Sequence, residues 1–245
     1  MNQSTIRSPE VYVITYDHPH RKTQDLLFHL KLAGYSVTVL GLPWQSRRNH
    51  QPLFDIRLPS ALSLPPDRLC PVLGFDYRFI GSIDSCSLTL ERPVLIGGAP
   101  ILSAEFVNKN VVINVHPGWL PKVRGLDALK WAIYYGYPIG VTVHRVDERV
   151  DMGTLLLREE VPLYPTDSLH SIATRQYELG LVLLVKALDP EVLNAATGYA
   201  ESPDAPSRRM KHAEELVMTE RLRHRLAGLH LSSGRYVDGY TPGCV

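Results

Sequence analysis

Apolar, β-branched runs that stop abruptly at polar groups recur along this chain and alternate with segments of helical periodicity. Val11-Tyr12-Val13-Ile14-Thr15-Tyr16 reads as a buried parallel strand. From Lys22 to Tyr35, Leu26, Leu27, Leu30 and Ala33 recur at helical spacing and Gly34 supplies a stop. Ser36-Val37-Thr38-Val39-Leu40 is the next strand, which completes a strand–helix–strand unit. Such units place their strands parallel, so the expected class is α/β: a Rossmann-like, mostly parallel sheet with helices on both faces.

Residues 41–92 are broken by prolines, with Leu53–Leu58 and Val72–Phe75 as expected short strands. Regularity returns at Pro93-Val94-Leu95-Ile96-Gly97-Gly98, a strand that ends in two glycines where a backbone can approach a planar ligand. Ser103 caps a short helix to Val107. Val111 to Val115 and Gly140 to Val146 are strands, and Leu126 to Tyr135 is the helix between them. Thr154 to Val161 is a further strand. A long helix opening at Pro165-Thr166-Asp167 buries Leu169, Ile172, Ala173, Leu179, Leu183 and Ala187. Ser207 to Leu229 mixes basic and acidic residues and reads as a solvated surface helix or two short ones. The expected division is a domain over 1–190 and a short, largely helical extension over 191–245.

Composition narrows the classes. With 44% hydrophobic and 21% charged residues and a net charge of +1, the chain is that of a globular protein without a field favouring nucleic acid or membrane. No apolar run reaches the ~18 residues of a membrane span and no signal peptide is evident, so the expectation is cytoplasmic. Cys70, Cys86 and Cys244 are too scattered for a disulfide framework or a CxxC metal site. Where a dinucleotide fold would carry GxGxxG, this chain has Asp17-His18-Pro19-His20-Arg21-Lys22, which argues against NAD or FAD. His18 and His20 have no further ligands at motif spacing and read as loop residues. Arg21 and Lys22 read as a solvated helix start, and Trp44 as part of the loop at the edge where open sheets bind ligands.

Candidate chemistry concentrates between Val111 and Asp151. Asn114 and His116 are two apart on one strand and therefore share a face. Gly98-Ala99-Pro100-Ile101-Leu102, Ile113-Asn114-Val115-His116-Pro117, Leu120-Pro121, Arg124-Gly125, Gly140-Val141-Thr142-Val143-His144 and Val150-Asp151-Met152-Gly153 closely resemble the formyltransferases that use 10-formyltetrahydrofolate. That family includes glycinamide ribonucleotide, methionyl-tRNA and nucleotide-sugar N-formyltransferases. The resemblance runs from Pro93 to Leu188, and it implies a catalytic set of Asn114, His116 and Asp151. It also implies a folate site at Gly98, Ala99, Pro100, Ile101, Leu102, Val146, Asp147 and Val150, and an acceptor wall at Pro117, Gly118, Trp119, Arg124 and Gly125. No metal is implied. Departures from the family pattern are Gly118-Trp119 where Ser-Leu is common, Arg149 where Gly is common, and Pro100 where Arg is common.

Those residue types suit acyl transfer to an amine. As the amine attacks, charge grows on the formyl oxygen; Asn114 and a protonated His116 can donate to it, each donor worth ~3 kcal/mol. His116 or Asp151 then carries the amine proton to the departing N10, worth ~10²–10⁴-fold. His144, inside its strand, reads as a hydrogen-bonded structural histidine. The expected acceptor is a primary amine on a small molecule, in particular a nucleotide-linked amino sugar, because neither a glycine-rich phosphate loop nor a basic C-terminal barrel is evident. The alternatives are a formyltetrahydrofolate hydrolase, a glycinamide ribonucleotide formyltransferase, and a folate-binding regulatory protein without turnover.

Overall fold

The computed structural model describes residues 9–44, 51–57, 62–89, 92–149, 151–195, 198 and 205–232; Val150 lies outside them. The first unit runs β1 (Glu10–Tyr16), α1 (Arg21–Leu32), β2 (Ser36–Leu42), as the apolar periodicity requires. Gly34, at φ +80°, makes the turn between α1 and β2. After α2 (Pro66–Leu73) and β3 (Asp76–Phe79) the chain crosses to β4 (Val94–Ile96), α3 (Ala104–Lys109) and β5 (Val112–His116). It continues through α4 (Ala128–Tyr135), β6 (Gly140–Arg145), β7 (Thr154–Glu160), α5 (Leu169–Lys186), α6 (Pro190–Asn194) and α7 (His212–Ser232). Sheet order is β3-β2-β1-β4-β5-β6-β7. The strands from β3 to β5 pair parallel, while β6 and β7 join antiparallel.

Strand alternation divides the core in two. Val13, Val39, Leu95, Ile113, Val141 and Val143 face the larger cluster, covered by α1, α2, α4, α5 and α7. Tyr12, Ile14, Leu40, Val94 and Val112 face the smaller one, covered in part by Phe106 and Val107 of α3. At some 25 cal/mol per Å² of apolar surface, these two layers dominate the favourable side of folding. On that second face β5 continues from Val112 to Asn114 and His116, so a row that begins apolar ends polar.

Three expectations are corrected. Residues 72–75 do not form a strand: Val72 and Leu73 close α2, whose Pro66 occupies the first turn, and Gly74 caps it at φ +70°. Residues 53–57 are irregular rather than extended in a sheet, and Leu58 lies outside the described residues. The charged C-terminal segment is not solvated all round, because α7 turns Glu215, Met218, Leu222 and Leu226 inward. Lys130 on α4 makes a buried ion pair with Glu215, which also accepts from Leu53 N at 2.6 Å. That pair ties α7 and the 51–57 segment to the body of the sheet.

Candidate active site

Parallel β5 delivers Asn114 and His116 toward the carboxyl edge, and antiparallel β6 sets His144 directly opposite Asn114. Side chains opposite each other in a ladder share a face, so the two histidines and the amide meet. Asp151 arrives differently. It follows β6 in a loop that turns back over the same face, where its Oδ2 lies 3.5 Å from His116 Nδ1 and its Oδ1 lies 3.9 Å from His144 Nε2. Asp151 adopts φ +52°, a left-handed conformation that costs a non-glycine residue about 1–3 kcal/mol, and its carboxylate is further held by Gly125 N at 3.0 Å.

The hydrogen-bond partners assign protons. His116 Nε2 lies 2.8 Å from Val123 O, and a carbonyl only accepts, so Nε2 carries a hydrogen. Nδ1 is the nitrogen that faces Asp151. Asn114 Nδ2 donates to His144 Nε2 at 3.5 Å, which leaves its second N–H for another acceptor. His144 is 1% exposed and its Nδ1 has no partner of ordinary geometry. Desolvation outweighs the nearby Asp151 charge and pushes the His144 pKa down to about 4. It is therefore neutral at pH 7, an acceptor that orients the Asn114 amide.

The loop after His116 is fixed from several sides. Gly118 N returns to His116 O at 2.9 Å, and a Cβ on Gly118 would stand 2.6 Å from His116 Nε2. Any side chain there would push the His116 ring from its place, which gives a physical reason for the glycine. Thr142 Oγ1 donates to Gly118 O at 2.7 Å and accepts from Leu120 N at 3.1 Å. Buried Gln176 on α5 donates to Pro117 O at 3.1 Å and to Gly140 O at 2.8 Å. Trp119 packs away from the cluster, 4.2 Å under the Arg158 guanidinium and against Gly140. Arg124 is buried, and Arg124 O accepts from Ser207 N at 2.9 Å. Thr142, Gln176 and Arg158 were not singled out from sequence; their polar types inside apolar strands and helices were the available signal.

At the end of β4, Gly97 N and Gly98 N both donate to Ile14 O, at 2.9 and 3.1 Å. Ile96, Ala99, Leu102 and Val146 are half-buried against the smaller core, whereas Pro100 and Ile101 stand exposed. Asp147 is turned to Arg149, with which it forms a 2.9 Å ion pair. Lys22 Nζ donates to Ile96 O at 2.9 Å, and desolvation lowers its pKa to about 8, so it is not the freely solvated helix residue expected. His20 bonds Thr23 Oγ1 at 2.8 Å and His18 stacks on Trp44. Among the described residues no group of three or more His, Cys, Asp or Glu side chains is placed to hold a metal. Beside the loop lies a cavity of about 320 Å³ walled by the 52–57 segment, Pro117, Gly125, Lys130 and Gln176.

The site thus joins an open α/β sheet with antiparallel strands at one edge to an Asn, a His and an Asp gathered on one strand face. Residues 86–188 match the family model described as formyl transferase. The chain is 46% identical over 77 residues to a methionyl-tRNA formyltransferase of Koribacter versatilis, covering 31% of this chain and 25% of that protein. It is 38% identical over 95 residues to a phosphoribosylglycinamide formyltransferase of Haemophilus influenzae, covering 38% of this chain and 45% of that protein. The matched segments thus span less than half of these relatives. In fold it is similar to a sugar N-formyltransferase from a Shewanella species, with a TM-score of 0.55, 18% identity and 87% of each chain covered. A phosphoribosylglycinamide formyltransferase from Anaplasma phagocytophilum gives 0.56 at 18% identity, covering 81% of this chain and 97% of that one. Among the described residues no helix is long and apolar enough to cross a membrane.

Proposed function

We propose that this protein transfers the formyl group of 10-formyltetrahydrofolate to a primary amine on a small molecule. The observation that carries the reading is the convergence of Asn114, His116 and Asp151 on one strand face, with His144 behind them. The half-buried apolar side chains at Ile96, Ala99, Leu102 and Val146 fit a flat pterin, while the cavity beside Pro117 and Gly125 suits the acceptor. The folate supplies the activated formyl carbon.

The free N–H of Asn114 donates to the formyl oxygen as charge grows there, and a protonated His116, its Nδ1 turned to Asp151, adds positive charge beside that oxygen. As the new C–N bond forms, Asp151 takes the amine proton, directly or through one water, and His116 stabilises the charge change. The C–N10 bond then breaks and the proton passes to N10. His144 acts through Asn114 as a positioning residue. The reading is tested by incubating the protein with 10-formyltetrahydrofolate and candidate amines and following tetrahydrofolate together with formylated product. Folate binding that persists without turnover for any amine, and that Asn114→Ala leaves unchanged, sinks the enzymatic reading in favour of a folate-binding protein. Tetrahydrofolate release without an amine identifies a hydrolase.

A further inference from the structure

On the side of the sheet away from Asn114, α1 packs between α2 and α5, and the outer face of this helix layer is not uniformly polar. The three helices run in step. Leu64 N, just ahead of α2, donates to Gln24 Oε1 at 2.9 Å, and Tyr177 Oη on α5 donates to Asp25 Oδ2 at 2.8 Å, so both neighbours are tied near the start of α1. Near the other end of α1, Lys31 Nζ lies 5.6 Å from the centroid of Phe75, the residue after the glycine that caps α2. On the outer face Leu32 is 88% and Val72 77% exposed, and Phe28, Val182 and Leu64 stand exposed as well. Phe28 and Leu32, four apart on α1, form one row. The flanking helices each show a charge followed one turn later by an aliphatic residue: exposed Arg68 then Val72 on α2, exposed Glu178 then Val182 on α5.

Counting from those two hydrogen bonds at about 1.5 Å per residue, Arg68 and Glu178 stand within about one turn of the same height along α1, and so do Val72 and Val182. One flank is therefore positive and the other negative, with an apolar ridge between them. A monomer seldom keeps a contiguous apolar helix face in water. The charges say what covers this one. A two-fold rotation about an axis along α1 lays α2 of a second copy over α5 and its α5 over α2. Arg68 of each copy then meets Glu178 of the other, Val72 meets Val182, and Phe28 and Leu32 meet their own counterparts on the axis. Lys186, one turn beyond Val182, comes over the carboxyl end of α2 in the second copy, where a cation is favoured. A partner of a single charge sign would suit one flank and be repelled by the other. We propose that the α2–α1–α5 face is the interface of a two-fold dimer of this chain. Three helices abreast, at about 8–10 Å between axes, are wide enough for the ~800 Å² per partner of a standard interface. Asn114 and His116 project from the opposite face of the sheet, so both sites stay open and the dimer is independent of the formyl-transfer reading.

Sedimentation velocity of the full chain over a range of concentrations reads the assembly. The wild type sediments as a dimer, and Leu32→Glu, which sets two carboxylates against each other on the axis, shifts it to monomer. Leu32 is exposed, so the variant keeps the wild-type circular dichroism spectrum, which separates lost association from lost fold. Arg68→Glu and Glu178→Arg each bring like charges together and weaken the dimer by roughly tenfold or more. The double variant Arg68→Glu with Glu178→Arg restores wild-type association, because the two flanks have merely exchanged sign. The proposal is overturned by a wild-type chain that stays monomeric, or by a dimer that Leu32→Glu leaves intact. It is equally overturned by single charge variants that associate as tightly as the wild type, or by a double variant that associates no better than the single ones. None of these outcomes bears on formyl transfer, which is read separately by its products.

Discussion

Asn114 illustrates how much of a residue's role depends on the one opposite it. The amide has two N–H donors, and His144 engages one of them, so the other is aimed rather than free to rotate. Asn114→Ala is expected to lower kcat by ~10²–10³-fold with little change in folate affinity, which steady-state kinetics and folate titration measure separately. Gly118→Ala places a methyl against His116 Nε2, so circular dichroism should show an intact fold while kcat falls and the pH–rate profile moves. His144 gives the protein an acid-sensitive point. Its native pKa is about 4 against 6.5 for an unperturbed histidine, so between those values the unfolded chain binds the extra proton. Stability from this site is complete above pH 6.5 and falls by about 3 kcal/mol on acidification toward pH 4. Denaturant titrations across that window should show a shallower pH dependence for His144→Asn than for the wild type.

At the scale of elements, α5 carries more than a packing face. Gln176 lies among its buried positions and satisfies two carbonyls, one in the loop after His116 and one at the start of β6. Gln176→Leu strands both acceptors, so unfolding should become easier by about 1–3 kcal/mol and kcat should fall more than the folate affinity. Which elements were legible in the sequence follows from how they bury their faces. β1, β2, β4, β5 and β6 are covered on both sides, so their apolar runs were unmistakable, and α1 and α5 show plain helical spacing. α2 was hidden because Pro66 and Pro71 read as breakers, although proline is well suited to a first helical turn. The resemblance singled out Asn114, His116 and Asp151, which the structure brings together, but the tautomer of His116 and the grip of His144 were not legible. Both depend on which groups lie opposite across an antiparallel ladder and a returning loop.

For the whole molecule, the segment after 205 is part of the structure that holds the site. Lys130 and Glu215 are almost fully buried and neutralise each other across α4 and α7. Removing one partner leaves a buried charge, so Glu215→Ala should destabilise the protein by about 3–5 kcal/mol in chemical denaturation. A paired replacement, Lys130→Met with Glu215→Leu, should recover most of that loss, since an apolar pair needs no desolvation. The two ends of the sheet also differ in purpose. The parallel half supplies a carboxyl edge with helix starts, and the antiparallel pairing of β6 on β5 sets His144 against Asn114 on one face.

Gly125, the residue that holds the Asp151 carboxylate, is itself stitched to the C-terminal part of the chain. Ser207 N donates to Arg124 O at 2.9 Å and Leu126 N donates to Ser207 O at 2.8 Å, so Gly125 sits in a short parallel bridge with Ser207. During synthesis that bridge cannot form until residue 207 has left the ribosome. The nascent chain therefore carries Asn114, His116 and Asp151 well before it can close the bridge that steadies Gly125 against the Asp151 carboxylate.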